Sequence, residues 1–345
     1  MTICNDKVRG VLYGQAIGDA LGIQDEGKSA TQLLAKYGPM DTTLVYRDSE
    51  PFKGSVFKAG EWSDDTALAL ALLDAHLAQG KLEFTRKAAY NFREWLKEDG
   101  RGSGRTIRNV ICDAGFLINP HDAAMRIWLR GHKQAAPNGA VMRTSVMGLT
   151  IPTDLDYVEQ MAVDGAKITH YDPRCIASSV AVSCAIAVLV TGGDVATAMD
   201  VAVSRATKYH AEVGEWTNKS LDELDLDEGL DENRGHPGRT PIGYTYKCMG
   251  AGFWALQEFD RRNRTIVPED LAWSLFTGPL TTILRAGGDV DTNAAVAGAM
   301  LGACVGWKNI PSNLVYGLGE TNINRLERSL STLEKLHEWS SQRLA

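Results

Sequence analysis

Alternation of apolar and polar residues at period two is almost missing from this 345-residue chain, which argues against a sandwich or barrel of half-buried strands. Cysteine is sparse and dispersed. Cys4, Cys112, Cys175, Cys184, Cys248 and Cys304 form no C-x-x-C pair, so neither a zinc framework nor a disulfide scaffold is expected. Dispersed free cysteines suit a reducing cytosol, and a cytoplasmic location is expected. Basic residues are not in excess: 36 Lys and Arg stand against 43 Asp and Glu, for a net charge of -7. A general nucleic-acid surface would be basic, so no nucleic-acid partner is expected, although a nucleotide held locally is compatible. Long hydrophobic runs are also missing. The longest apolar stretch, 176–191, is interrupted by Ser178, Ser179 and Ser183. It falls short of the ~20 residues of a membrane span, and a buried core helix is expected instead. The polar start, Met1-Thr2-Ile3-Cys4-Asn5-Asp6, does not resemble a signal peptide.

What is present is helical spacing. Hydrophobic residues make up 44% of the chain, enough for one large domain or two smaller ones, and the run of helical segments below leads to the expectation of one domain over residues 1–345. Leu68, Leu72, Leu73 and Leu77 line one helix face behind Ser63. Further helices are expected over 8–21, 84–97, 106–116, 121–129, 141–149, 157–168, 176–191, 195–209, 244–259, 271–277, 293–305 and 326–339. The expected fold class is all-α, with long loops on one face. The segment 24–59 reads as a long irregular loop. The segment 212–239 carries nine acidic and three basic residues and reads as a solvated acidic insertion.

Two small acidic clusters stand near opposite ends of the chain. The first is Ser63-Asp64-Asp65-Thr66 and the second is Asp289-Val290-Asp291-Thr292, preceded by Gly287-Gly288. Each opens an apolar helical run, so each is open to two readings. One is helix capping, with Ser63 as N-cap and acids in the first turn. The other is metal binding: crowded carboxylates repel unless a cation relieves them, and hard divalent cations take oxygen ligands. Together, the clusters fit a shared site that brings the two ends of the chain into contact. Asp19, inside the tight apolar run Gly14-Gln15-Ala16-Ile17-Gly18-Asp19-Ala20-Leu21-Gly22, needs hydrogen bonds or a cation if buried. Glu26 follows within reach of the same cavity. The turn Pro137-Asn138-Gly139-Ala140-Val141-Met142-Arg143 offers backbone N–H groups and an arginine that suit a phosphate. Thr169-His170-Tyr171-Asp172-Pro173-Arg174 pairs a histidine with an acid in a loop.

These motifs, in this order, resemble the ADP-ribosylglycohydrolase family, with the likeness running from about residue 8 to residue 311. The resemblance implies a compact orthogonal bundle of helices whose cleft is lined by loops. It implies a binuclear site for two divalent cations, Mg²⁺ or Mn²⁺, and hydrolysis of the bond between ADP-ribose and a protein side chain, most often arginine. By position, Ser63, Asp64, Asp65, Asp289, Asp291 and Thr292 match the metal clusters. Asp64 and Asp65 are the first candidates for general acid or base, with Glu26 as the alternate. Asn138, Gly139 and Arg143 match the turn that approaches ADP-ribose, with Arg143 on the pyrophosphate. His170 and Asp172 match the T-H-x-x-P loop. Gly102 and Ser103, in the loop that approaches the sugar, and Gly288, beside the late cluster, complete the expected substrate contacts.

Three positions depart from the family pattern. Ser63 replaces a threonine and keeps its hydroxyl. Val290 replaces a threonine and cannot be a side-chain ligand. Gly102-Ser103-Gly104-Arg105 is basic where some members carry an acid. The expected partner is an ADP-ribosylated protein substrate, with no membrane partner. The alternative is an immunity or binding protein that occludes an ADP-ribosyltransferase toxin, with the 24–59 and 212–239 segments as contacts.

Overall fold

The structure is a computed structural model. It describes the chain except residues 1, 40–42, 52–54, 77–80, 231–239, 266–271 and 345. Leu77 and Leu271, both counted on expected helices, therefore lie outside the described residues, as do parts of 24–59 and 212–239.

The architecture is all-α. The helices are α1 (Asn5–Gly22), α2 (Ala30–Tyr37), α3 (Asp64–His76), α4 (Lys81–Glu98), α5 (Arg105–Ile111) and α6 (Pro120–Arg130). Next come α7 (Val141–Thr144), α8 (Leu155–Lys167), α9 (Pro173–Val190), α10 (Val195–Ala206), α11 (Val213–Trp216) and α12 (Leu221–Leu224). The last are α13 (Thr245–Asn263), α14 (Ala272–Arg285), α15 (Val290–Val305), α16 (Ser312–Gly317) and α17 (Glu320–Leu344). Among the described residues the only β-type pairings are two isolated bridges, Ser29 with Gly287 and Pro137 with Tyr244.

The pairing that organises the site is α1 against α15. Gly14 meets Gly298, Gly18 meets Ala294, Gly22 meets Asp291 and Gly10 meets Gly302, so the two helices run antiparallel. A Cβ added at Gly14 or Gly18 would overlap the carbonyl oxygen of Gly298 or Ala294. Small residues at four-residue spacing thus let the two backbones touch, and α15 is apolar and buried almost all round. The geometric result is that the C-terminal end of α1, with Asp19, meets the N-terminal end of α15, with Asp291.

Helix α9 packs against α10, α8 and α13 in the interior. It is long and apolar enough to cross a membrane by composition, yet 89% of its length is covered by protein. Its inward serines are satisfied locally: Ser179 and Ser183 donate to carbonyl oxygens one turn back.

Two expectations are corrected. The segment 24–59 is not wholly irregular, because α2 forms within it. Ser29 caps α2, and Gln32 closes a capping box with it. The acidic insertion is not simply solvated. Leu224 and Leu226 are buried, and the Lys247 ammonium, itself buried, donates to the carbonyl oxygens of Asp225, Glu228 and Thr240. Glu212, Glu215, Asp222, Glu223 and Asp225 are exposed, whereas Asp227 and Glu228 turn toward partners and the leucines anchor the segment, a division that charge counting misses. Its 231–239 part lies outside the described residues.

Candidate metal and substrate site

The two acidic clusters meet. Thr292 Oγ1 donates to Asp65 Oδ2 at 3.5 Å, joining the first turn of α15 to the first turn of α3. Asp19 reaches across from α1. Its Oδ1 accepts from the Ser63 backbone N–H at 2.9 Å. Its Oδ2 accepts from the Thr66 N–H at 2.9 Å and the Thr66 hydroxyl at 2.7 Å. A carboxylate from another helix therefore caps α3. Ser63, expected as that cap, shares the role: its Oγ accepts from the Asp65 N–H at 3.3 Å, and its hydroxyl donates to Asp65 Oδ2 at 2.8 Å.

Glu26 and Asp289 are placed by turns. The Gly27 N–H donates to the Gly288 carbonyl, and the Gly288 N–H donates to the Lys28 carbonyl, both at 2.9 Å. Gly288 sits at φ +81, and a Cβ there would strike the Leu226 carbonyl, so this turn needs glycine for two reasons. Asp227, from the acidic insertion, accepts from the Ala30 N–H at 2.7 Å. Three distant chain segments are thus tied together beside the carboxylates.

Two overlapping sets of carboxylate oxygens lie within 4.8 Å of one another: Asp19, Asp65 and Asp291, and Glu26, Asp289 and Asp291. Asp65 Oδ1 and Asp291 Oδ1 are buried with no hydrogen-bond partner. Bare, buried, mutually repelling oxygens are costly, and a hard divalent cation is the group whose chemistry they fit. The donor set therefore passes as a cation site, with Asp291 shared between the two sets.

The electrostatics agree. Burial, then Asp19, Asp64 and Asp289, push the Asp65 carboxyl well above the ordinary carboxylate range. Burial, then Glu26, Asp289, Asp65 and Asp19, do the same to Asp291. Burial raises Asp19 to about 6 against the opposing donors of Thr66 and Ser63. A carboxyl raised in the folded state contributes stability at pH below its unfolded value and loses it as pH rises through the folded value. Protons held this way must leave before a cation binds. The Tm difference between Mg²⁺-loaded and chelated protein should therefore grow as pH rises from about 5 to about 7.5. A difference that stays flat with pH would count against the cation assignment.

The carboxylates form one wall of a cavity of about 500 Å³, a size suited to a nucleotide-scale ligand. Glu26, Asp64, Asp65, Asp289, Asp291 and Thr292 stand on that wall. Asn138, Gly139 and His170 also line the cavity, as does Gly102. Asn138 Nδ2 donates to Asp289 Oδ2 at 3.0 Å, so this residue touches the acid cluster as well as the cavity. The backbone at Gly102 lies so close to Asp64 that a Cβ would meet Asp64 Oδ1.

Other expected site residues are not on the cavity wall. Arg143, expected on a pyrophosphate, is fully buried. Its guanidinium donates to the carbonyls of Gly139 and Gly165 and to Thr169 Oγ1, and it lies 5.0 Å from the Phe92 ring centre. Asp172 caps α9 through the Arg174 N–H at 3.0 Å and accepts from Trp128 at 2.9 Å. Ser103 donates to the Gly100 carbonyl at 2.6 Å. Gly288 is spent on the turn described above. Ser63 likewise stands behind the wall, bonded to Asp65.

Arg174 and Tyr244 line the cavity and were missed. Asp172 grips Arg174 at 2.8 and 2.9 Å, and the guanidinium lies 5.9 Å from the Tyr244 ring centre. The T-H-Y-D-P-R run already held the signal: an acid two residues before an arginine at a helix start can cap and clamp together. Asp19, an acid that needs partners when buried, joins Asp65 and Asp291 although it is not among the expected metal ligands.

The sequence of the chain matches the family described as ADP-ribosylglycohydrolase over residues 2–341. A protein of Archaeoglobus fulgidus is 27% identical, covering 96% of this chain and 97% of its own length. The ADP-ribosylarginine hydrolase Tri1 of Serratia proteamaculans is 26% identical, with 89% of this chain and 73% of that protein covered. A solved chain from an ADP-ribosylglycohydrolase-related protein complex shares the fold at a TM-score of 0.70 and 20% identity, covering 96% of this chain and 98% of that one. Match, fold and converging carboxylates agree: the chain belongs to the ADP-ribosylglycohydrolase family, metal-dependent hydrolases that act on ADP-ribosylated substrates.

Proposed function

We propose that this protein hydrolyses the N-glycosidic bond between ADP-ribose and arginine side chains of modified proteins, with two divalent cations, Mg²⁺ or Mn²⁺, held by its carboxylates. The observation that carries this reading is the convergence of Asp19, Glu26, Asp65, Asp289 and Asp291 in two oxygen sets beside one cavity. The choice of arginine is supported by the Serratia relative's assignment as an ADP-ribosylarginine hydrolase.

Cations bound there would supply Lewis acidity to oxygen ligands. The residues of the chain do the rest. Asp65, Asp289, Asp291 and Thr292, with Asp19, would hold the cations, and Ser63 orients Asp65. Asn138 and Gly139 line the cavity beside the carboxylates, with Asn138 bonded to Asp289. Arg174, clamped by Asp172, is the cation placed to meet a pyrophosphate, the role expected of Arg143. The leaving guanidine needs a proton on its glycosidic nitrogen. Asp65 is fixed by Ser63 and Thr292 and belongs to a three-carboxylate set, which favours Asp64 for that proton over Asp65, with Glu26 as the alternate.

The experiment is release of free ADP-ribose from arginine-modified and serine-modified protein, with Mg²⁺, with Mn²⁺ and with chelator. Release from the arginine-linked substrate only when metal is present is the expected result. No release by folded, metal-loaded protein would sink the proposal, and preferential release from serine would overturn its linkage.

A further inference from the structure

His170 lines the cavity, yet its Nε2 has no hydrogen-bond partner and the residue is 2% exposed. Behind it runs a short chain of hydrogen bonds. Arg143 donates to Thr169 Oγ1 at 2.7 Å, and Thr169 Oγ1 lies 2.7 Å from His170 Nδ1. The direction of the second bond follows from the first. A guanidinium has donors only, so Thr169 Oγ1 must accept from Arg143. The threonine hydroxyl has one proton to give, and Thr169 is 1% exposed, with His170 Nδ1 as its available acceptor. Were Nδ1 to carry the proton, the buried hydroxyl hydrogen would have no acceptor, an unfavourable arrangement inside a protein.

We infer that Arg143 and Thr169 are positioning residues that lock His170 in its Nε2–H tautomer, so that His170 presents a neutral, one-directional donor to an oxygen acceptor of the ligand in the cavity. The inference rests on the proposed function for the identity of that ligand: the acceptors on an ADP-ribosyl group are hydroxyl and phosphate oxygens. Neutrality has its own support. Burial, and then the Arg143 charge, push the His170 imidazole well below its usual range.

The surroundings hold the ring in place. An added Cβ on Gly139 would come within 2.9 Å of His170 Cε1 and 3.1 Å of Nε2, so the ring edge packs against that turn. Arg143 also donates to the Gly139 carbonyl. One buried guanidinium thus fixes both the turn and the imidazole that leans on it. The same bonds explain why an arginine from the Asn138–Arg143 motif is turned away from solvent.

The test is nitrogen NMR of protein with ¹⁵N-labelled histidine, joined to calorimetric titration with ADP-ribose in Mg²⁺. At neutral pH the wild-type His170 should show a protonated Nε2 and a bare Nδ1. A protonated Nδ1 or an imidazolium would overturn the inference. Thr169→Val removes the donor and should let the tautomer change, while weakening ADP-ribose binding about tenfold, the worth of one hydrogen bond. Thr169→Ser should restore both. A Thr169→Val protein with unchanged tautomer and unchanged binding would also overturn it. If the wild type binds no ADP-ribose, the proposed function fails, while the nitrogen shifts still decide the tautomer.

Discussion

Asp291→Asn should lower turnover by about 10³-fold or more, because it removes the one carboxylate shared by both oxygen sets. The same substitution should make the chelated protein more stable, raising its Tm by about 2 °C or more. The two effects come from one cause. Asp291 is buried, repelled by Glu26, Asp289, Asp65 and Asp19, and its Oδ1 has no partner. Without a cation, that charge is a liability, and an amide of the same shape relieves it. With a cation, the charge is the reason the ion binds. Activity assays with Mg²⁺ and thermal melts in chelator check the two halves. If Asp291→Asn were inactive and also less stable in chelator, the residue would be structural and the metal assignment would fail. Stability traded against function in this way is expected of strained sites.

Gly14→Val should destabilise the protein by about 3–5 kcal/mol, enough to prevent folding under many conditions. The added side chain would enter the Gly298 carbonyl, backbone against backbone, where nothing flexible can yield. Gly18→Val should do the same against Ala294. Gly104→Ala is the control. It has open space around its Cβ and an ordinary φ of -71 at the N-cap of α5, so it should cost no more than about 1 kcal/mol, the difference between glycine and alanine as a cap. Urea unfolding of the three variants decides the matter. A Gly14→Val protein as stable as wild type would show that α1 and α15 do not pack as described.

The helices that bury one continuous apolar stripe were legible in the sequence. So were the two acidic clusters, because four residues that concentrate charge and hydroxyls at the start of an apolar helix are conspicuous. The pairing of those clusters was legible from charge chemistry, but the third partner, Asp19, was seen only as a problem. Its solution lies in tertiary contact: it caps a helix that begins 45 residues later, 64 - 19, in the sequence. Arg143 failed for a different reason. A charged residue beside a turn is ordinarily on the surface, and only the carbonyls of Gly139 and Gly165, with Thr169, make its burial affordable. Asp172 and Arg174 were read for the wrong one of the pair. The α2 helix was missed although Ser29 and Gln32 spell a capping box, because the surrounding glycines, threonines and serines dominated the reading.

The antiparallel contact of α1 and α15 also sets an order of events during synthesis. Helix α1 is synthesised well before α15, so its small-residue face has no partner helix until α15 is made. Its partner begins 268 residues later, 290 - 22, along the sequence. Contacts of such long sequence separation form slowly and leave early segments exposed. Both oxygen sets contain Asp291 of α15, so on the proposed function a nascent chain lacks its site until that helix docks. A chain truncated before residue 290 should therefore be without activity and dependent on chaperones, because docking of α15 is the step that completes the site.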